Sequence, residues 1–254
     1  GGLILGWFGL PKMGIAGAAI SVIANGIFMS TILLLKFSNP TTPVRLKLSR
    51  LSFEKELFQD IFNVALPASL SPVFTVATVL ILTGLVAQFG TAALAGYGIG
   101  SRVEFLMIPL IFGIGSAMTT MVGTNVGAKN IDRAEKIGLI GGISAGLLSG
   151  IIGVLLALTP EYWIHFFTND EAAYLVTKQY IQIVGICYGF QGLGLSLYFA
   201  SQGANAMRWA ILATIARCLI AAIGGWISVY YFSAGITGIF YSAAAAVIIY
   251  GFML

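Results

Sequence analysis

Charge is what this sequence has least of. Aspartate, glutamate, lysine and arginine make up 9% of its 254 residues, against about a quarter in an ordinary soluble domain, which excludes a solvated globular surface. There is one histidine, His165, and there are two cysteines, Cys187 and Cys218, both inside apolar stretches at no metal or redox spacing. A disulfide framework and a metal site are therefore not expected, and the cysteines read as packing residues. No glycine-rich phosphate loop and no His or Cys cluster for a nucleophile is present, so the chain is expected to be no enzyme and to use no cofactor. The net charge of +4 does not point to nucleic acid, because the lysines and arginines fall between apolar segments and form no basic face with interleaved aromatics. No cleavable leader is visible, and Gly1 and Leu254 read as internal positions of a longer protein.

What is abundant is apolar. With 58% hydrophobic residues and a mean hydropathy of +0.96, the chain reads as an all-α polytopic membrane protein. Seven stretches reach the roughly 20 residues that a bilayer requires: 14–36, 63–87, 94–124, 137–158, 172–202, 210–231 and 235–254. Every backbone polar group must be satisfied in lipid, and the alternation of an outer-membrane barrel is missing, so all seven are predicted to be helices. Lys36, Arg45, Lys47, Arg50, Lys55, Lys129, Arg133, Lys136 and Arg208 fall in alternate connections, while the other side carries Lys12 alone. The positive-inside rule then puts Gly1 outside and Leu254 inside, and the chain is expected to be a multi-pass protein of a plasma (inner) membrane.

Three parts follow from this pattern: a first helix within 1–37, a linker over 38–62 and a six-span unit over 63–254. In the linker, Pro40 and Pro43 break the chain, and Leu48, Leu51, Phe53, Leu57, Phe58 and Ile61 recur at near-helical spacing beside Lys47, Arg50, Lys55 and Asp60. That predicts an amphipathic segment on the cytoplasmic surface. An internal repeat supports the partition. Gly14-Ile15-Ala16-Gly17 recurs 221 residues later as Gly235-Ile236-Thr237-Gly238, which also superposes Ser21 on Ser242, Ala24 on Ala245 and Ile27 on Ile248. First and last spans would then be equivalent helices of successive repeats that share one orientation.

The ionisable residues within spans are Arg102, Glu104, Lys178 and Arg217. Glu104 lies roughly ten residues past Leu94, about 15 Å into a hydrocarbon layer about 30 Å thick, where a carboxylate is by default a functional-site hypothesis. It reads either as a proton- or cation-responsive group lining a cavity or as half of a buried ion pair that fixes helix register. Arg102 is two residues away, on a different helix face, and cannot easily pair with it. Arg217 is either a tether for backbone carbonyls or the partner of Glu104. Lys178 is close enough to the outer interface to snorkel. Tyr97, Gln182, Tyr188 and Gln191 could line a cavity for flat, cationic solutes through aromatic faces and amide oxygens. Pro67, Pro72 and Pro109 each remove a backbone donor within a span and are candidate hinges.

Four stretches carry a resemblance: AGYGIGSRVE and FGIGSAMTTMVGTNVGAKNIDRAEK over the third span and its exit, GIAGAAISVIANGI near the start, and YIQIVGICYGFQGLGLSLYFASQGANAMRWA near the end. In that order they resemble the multidrug and toxic compound extrusion (MATE) transporters over nearly the whole chain. The resemblance implies twelve helices in two six-helix lobes and export of organic cations or toxic solutes in exchange for sodium ions or protons. The present chain would hold the last helix of the first lobe and all of the second. Its implied partners are the bilayer, drug-like solutes and the first lobe. Family members place coupling carboxylates in the first lobe or in the first and fourth helices of the second. Spans 63–87 and 172–202 hold none beyond Glu171 and its flank, so no sodium-type site carries over. The alternatives are a lipid-linked oligosaccharide flippase of the same superfamily, for which more cavity arginine and lysine is expected, and a seven-helix receptor, for which no 221-residue repeat is expected.

The orientation is testable in a cysteine-free background. A cysteine introduced at Thr168 should react with an impermeant thiol reagent added outside, and one at Asn130 should not; labelling of both from one side overturns the assignment.

Overall fold

In the computed structural model, residues 11–38 and 54–254 are described. The chain divides after Lys55 into two compact units. The first contains helix α1, Gly14–Ser38. The second contains α2 (Lys55–Ala87), α3 (Thr91–Gly127), α4 (Ile131–Leu158), the short α5 (Pro160–Ile164), α6 (Glu171–Val184), a 3₁₀ turn at Gly185–Cys187, α7 (Tyr188–Gly203), α8 (Met207–Tyr230) and α9 (Gly235–Met253). Seven helical stretches among the described residues are long and apolar enough to cross a membrane, α6, the turn and α7 together making one.

The predicted spans all form helices, and the largest difference is at the linker. Its residues 39–53, with Pro40, Pro43 and the basic Arg45, Lys47 and Arg50, lie outside the described residues. Residues 55–62 do not form a separate segment but are the first two turns of α2. No glycine or proline separates Leu57, Phe58 and Ile61 from the apolar run that follows, so nothing stops the helix there. At 33 residues α2 is about 50 Å long, more than the hydrocarbon requires, which leaves Lys55, Glu56 and Asp60 beyond it.

The prolines do not interrupt their helices. Pro67 and Pro72 lie inside α2 and Pro109 inside α3. Pro72 has no N–H for the carbonyl of Ala68 four residues back, and the Tyr198 hydroxyl on α7 donates to that oxygen at 3.0 Å. The proline thus becomes a tie between α2 and α7. The one break in the ladder is the 3₁₀ turn at Gly185–Cys187, which contains no proline.

Small residues set the helix spacing, as in membrane bundles generally. Along α4, a Cβ on Gly146 would lie 3.2 Å from the carbonyl oxygen of Gly189, and one on Gly150 would lie 3.3 Å from the Gly189 Cα. A Cβ on Gly153 would collide with the Gly185 carbonyl. On α3, Gly96 faces α6, where the Thr177 hydroxyl donates to the Gly96 carbonyl at 3.0 Å. Near the other end of α3, Thr119 donates to the Phe199 carbonyl at 2.9 Å.

Two of the connections predicted to face the cytoplasm close in the same way. Lys129 and Asn205 have φ of 60° and 55°. The next residue's N–H reaches five residues back, from Asn130 to the Asn125 carbonyl and from Ala206 to the Ser201 carbonyl, each at 2.9 Å. This left-handed closure ends one helix and starts the next within a few residues. The connection between α4 and α6 is aromatic and charged: His165 stacks on Tyr174, and Lys178 pairs with Glu161 at 3.3 Å.

Glycine roles can be separated by substitution. A Cβ at Gly96 would lie 2.6 Å from the Ala173 oxygen and 2.7 Å from the Val176 Cβ, whereas Gly98 has nothing within 4 Å. Gly96→Ala should cost about 1–3 kcal/mol and Gly98→Ala should be neutral or stabilising by up to about 1 kcal/mol, read as thermal unfolding of the full-length protein in detergent. Equal effects would refute the packing assignment.

Candidate functional site

Glu104 on α3 is met from two neighbouring helices. The Tyr180 hydroxyl on α6 donates to its Oε2 at 2.7 Å, and Arg217 on α8 places Nη2 3.6 Å from its Oε1. The two charged side chains are 18% and 13% exposed, so this is a mostly buried pair whose partners depend on each other. At 3.6 Å the ion pair is looser than a charge-assisted hydrogen bond of about 2.7–2.9 Å; the short contact to the carboxylate is the phenol. Arg217 also lies over the ring of Tyr250 on α9, 5.4 Å from its centroid, a distance at which a guanidinium is attracted by the ring face. One carboxylate therefore connects α3, α6, α8 and, through the arginine, α9.

The sequence makes room for this contact one turn earlier. A Cβ on Gly100 would collide with the Tyr180 ring, so only glycine lets the phenol cross α3 and reach Glu104 at i+4. Around it, Tyr97 meets Tyr180 edge-on at 5.4 Å, and Tyr180 meets Phe240 edge-on at 5.2 Å. Such pairs contribute about 0.5–1.5 kcal/mol each beyond their burial and hold Tyr180 in place.

Arg217 also lines a cavity of about 260 Å³ between α2, α3, α7, α8 and α9, with Phe112, Phe199 and Tyr250 on its walls and Gln191, Thr75 and Thr214 among its polar groups. Ser71 and Thr214, also on its wall, face each other at 3.3 Å. Gln191 is 7% exposed, and its Oε1 has no hydrogen-bond partner.

The sequence-predicted residues separate into groups. Glu104 and Arg217 come together as partners. Arg102 is exposed on another face of α3. Of the four residues predicted to line a cavity, Gln191 is on the wall of this one. Tyr97 and Tyr188 are in the packed core, at 4% and 1% exposure, because both stand on the inward faces of their helices where the aromatic cluster forms. Gln182 is exposed in a small groove beside Glu161 and Lys178, near the outer end of its span. Pro72 lies on the cavity wall. Tyr180 and Tyr250 were missed; Gly100, one turn before Glu104, was the available signal for a large ring crossing α3. Among the described residues no three His, Cys, Asp or Glu side chains converge as a metal site would require.

Three comparisons bear on this arrangement. The MatE family profile matches residues 67–227. The chain is 28% identical to the probable multidrug resistance protein NorM of Thermotoga maritima, across 97% of this chain and 53% of that protein. It is 22% identical to the probable multidrug resistance protein YoeA of Bacillus subtilis, across 84% of this chain and 47% of that protein. Among solved structures it is similar to a MOP superfamily transporter from Pyrococcus furiosus, with a TM-score of 0.86, 21% identity and coverage of 99% and 56% of the two chains. It is also similar to a multidrug resistance MATE family transporter in an outward-facing conformation, with a TM-score of 0.89, 20% identity and coverage of 99% and 56%. At such identities the structures establish the fold. The chain spans about half the length of the relatives it matches.

The coupling within the cluster can be measured in the full-length protein. Arg217→Met alone should cost about 3–5 kcal/mol, because it leaves a buried carboxylate uncompensated, and adding Glu104→Gln should restore more than half of the loss. Strictly additive losses in thermal unfolding would show that the two side chains do not act as a pair.

Proposed function

The chain belongs to the MatE family of membrane transporters, and we propose that residues 63–254 form the second lobe of a secondary multidrug exporter in which Glu104 carries the coupling ion. The observation that carries this reading is the Glu104 carboxylate inside the bundle, held by Tyr180 at 2.7 Å and loosely by Arg217 at 3.6 Å.

Of the two ions expected, this environment favours the proton. A bound sodium ion would need several oxygen ligands, whereas Glu104 has one hydroxyl neighbour and a guanidinium that repels a metal cation. Protonation of Glu104 removes the charge that attracts Arg217 and leaves the phenol contact in place. It loosens α8 from α3 without undoing α6 from α3. Such a difference between two states is what a coupling ion must supply if it is to shift a conformational equilibrium. The exported solutes would be organic cations or other toxic, drug-like compounds.

Helix α1 is assigned to the end of the first lobe. Its Ser21 hydroxyl donates to the Gly17 carbonyl at 2.7 Å, and the repeat-equivalent Ser242 hydroxyl in α9 donates to the Gly238 carbonyl at 2.9 Å. In α9 the same serine also faces Ser228 of α8 at 3.2 Å. On this reading α1 would seat against a corresponding helix of the first lobe, and solute would bind near the midplane between the two lobes.

In proteoliposomes, the full-length protein should accumulate a fluorescent organic cation under a proton gradient and not under a sodium gradient. Glu104→Gln should lower that rate about tenfold, equivalent to about 1.4 kcal/mol, while retaining the assembled protein. The present chain alone should give no uptake, and co-expression with the first lobe should restore it. Unchanged transport in Glu104→Gln across pH 6 to 8 would assign the carboxylate to helix register alone, and uptake by the isolated chain at the full-length rate would overturn the two-lobe assignment.

A further inference from the structure

The cavity beside Arg217 has polar groups that nothing in the fold satisfies. Gln191, more than nine-tenths buried, is on the wall of this cavity, and its carbonyl oxygen has no hydrogen-bond partner. Among the described residues the only polar contact of Arg217 is the 3.6 Å approach to Glu104, so its N–H groups make no hydrogen bond. Buried polar atoms are nearly always paired, and leaving one unpaired costs about 1–3 kcal/mol. An occupant that supplies both an acceptor and a donor is complementary to this wall.

Charge and shape narrow the occupant. Arg217 is the one charged side chain on the wall, and Glu104 balances it from behind. A cation would face the guanidinium, and an anion would add an uncompensated negative charge beside Glu104; in a poorly screened interior both are disfavoured. Much of the remaining wall is aromatic or aliphatic: Phe112 and Phe199 meet edge-on at 4.8 Å, and Tyr250, Val76, Ile108 and Leu195 line it with Thr75 of α2. An apolar cavity of about 150 Å³ accommodates benzene, so about 260 Å³ has space for an aromatic ring with a planar polar substituent.

We propose that this cavity is a binding site for a flat, uncharged aromatic carboxamide, whose carbonyl oxygen accepts from Arg217 and whose N–H donates to Gln191. The site lies within one lobe and requires neither an ion gradient nor solute movement, so it goes beyond the export reading. It also reverses the expectation of a cation-selective cavity at Gln191.

Benzamide, benzoate and benzamidinium have nearly the same shape and differ in charge, so they test the site directly. Their binding to the full-length protein in lipid nanodiscs can be followed by saturation-transfer NMR and equilibrium dialysis, without a gradient. Benzamide should bind saturably and about tenfold or more tightly than either charged probe. Gln191→Leu, which removes the acceptor, and Thr75→Leu, which fills the space, should each weaken benzamide about fivefold or more. Gel filtration identifies which variants fold, and weakening in a folded variant supports the site. Benzoate or benzamidinium binding as tightly as benzamide, no saturable binding of benzamide, or benzamide binding unmoved in the folded variants would overturn the proposal. Neither substitution touches Glu104, so failure here and failure of the coupling role are separate results.

Discussion

A carboxylate inside an apolar bundle must be matched by the chain itself, and much of the second unit is arranged around that requirement. Glu104 draws Arg217 from α8 and Tyr180 from α6, and the arginine in turn lies over Tyr250 of α9. The ring of Tyr180 can cross α3 because Gly100 has no side chain, and Tyr97 and Phe240 hold that ring edge-on. Removing the charge would leave an aromatic cluster without a centre. Removing one partner would leave a buried ion without compensation, the more damaging of the two changes.

The same arginine separates two environments. Toward Glu104 its charge is balanced; it also lines the cavity whose wall includes Gln191, with an oxygen that has no partner. A single side chain thus joins the ionisable cluster to a space among polar groups.

The spans were legible in the sequence because the bilayer imposes a length on apolar runs that few other features imitate. Glu104 and Arg217 were legible for a related reason: charge is so scarce within spans that each instance demands a partner, although which partner could not be read from separations of over a hundred residues. Tyr97 and Tyr188 lie in the packed core and Gln182 in a separate groove, a difference the sequence could not carry because periodicity in a uniformly apolar helix does not distinguish the face toward neighbours from the face toward lipid. The prolines each remove one backbone donor, as the sequence implies, without interrupting their helices. Pro72 loses one backbone bond, but Tyr198 restores it from another helix, and the ladder instead breaks at Gly185–Cys187, where glycine and close backbone contact leave no proline to find.

The glycine seam between α4 and the Gly185–Gly203 segment has a mechanical consequence. Ordinary helix pairs interlock because the ridges of one fill the grooves of the other, and moving one along the other means lifting side chains out of their seats. At Gly150 the opposing surface is bare main chain, so nothing is seated there and nothing has to be lifted, whereas at Gly146 and Gly153 the side chains of Leu193 and Tyr188 also bear on the facing helix. The seam is smooth at its middle and keyed on either side, so the two helices can slip past one another only as far as those two side chains allow.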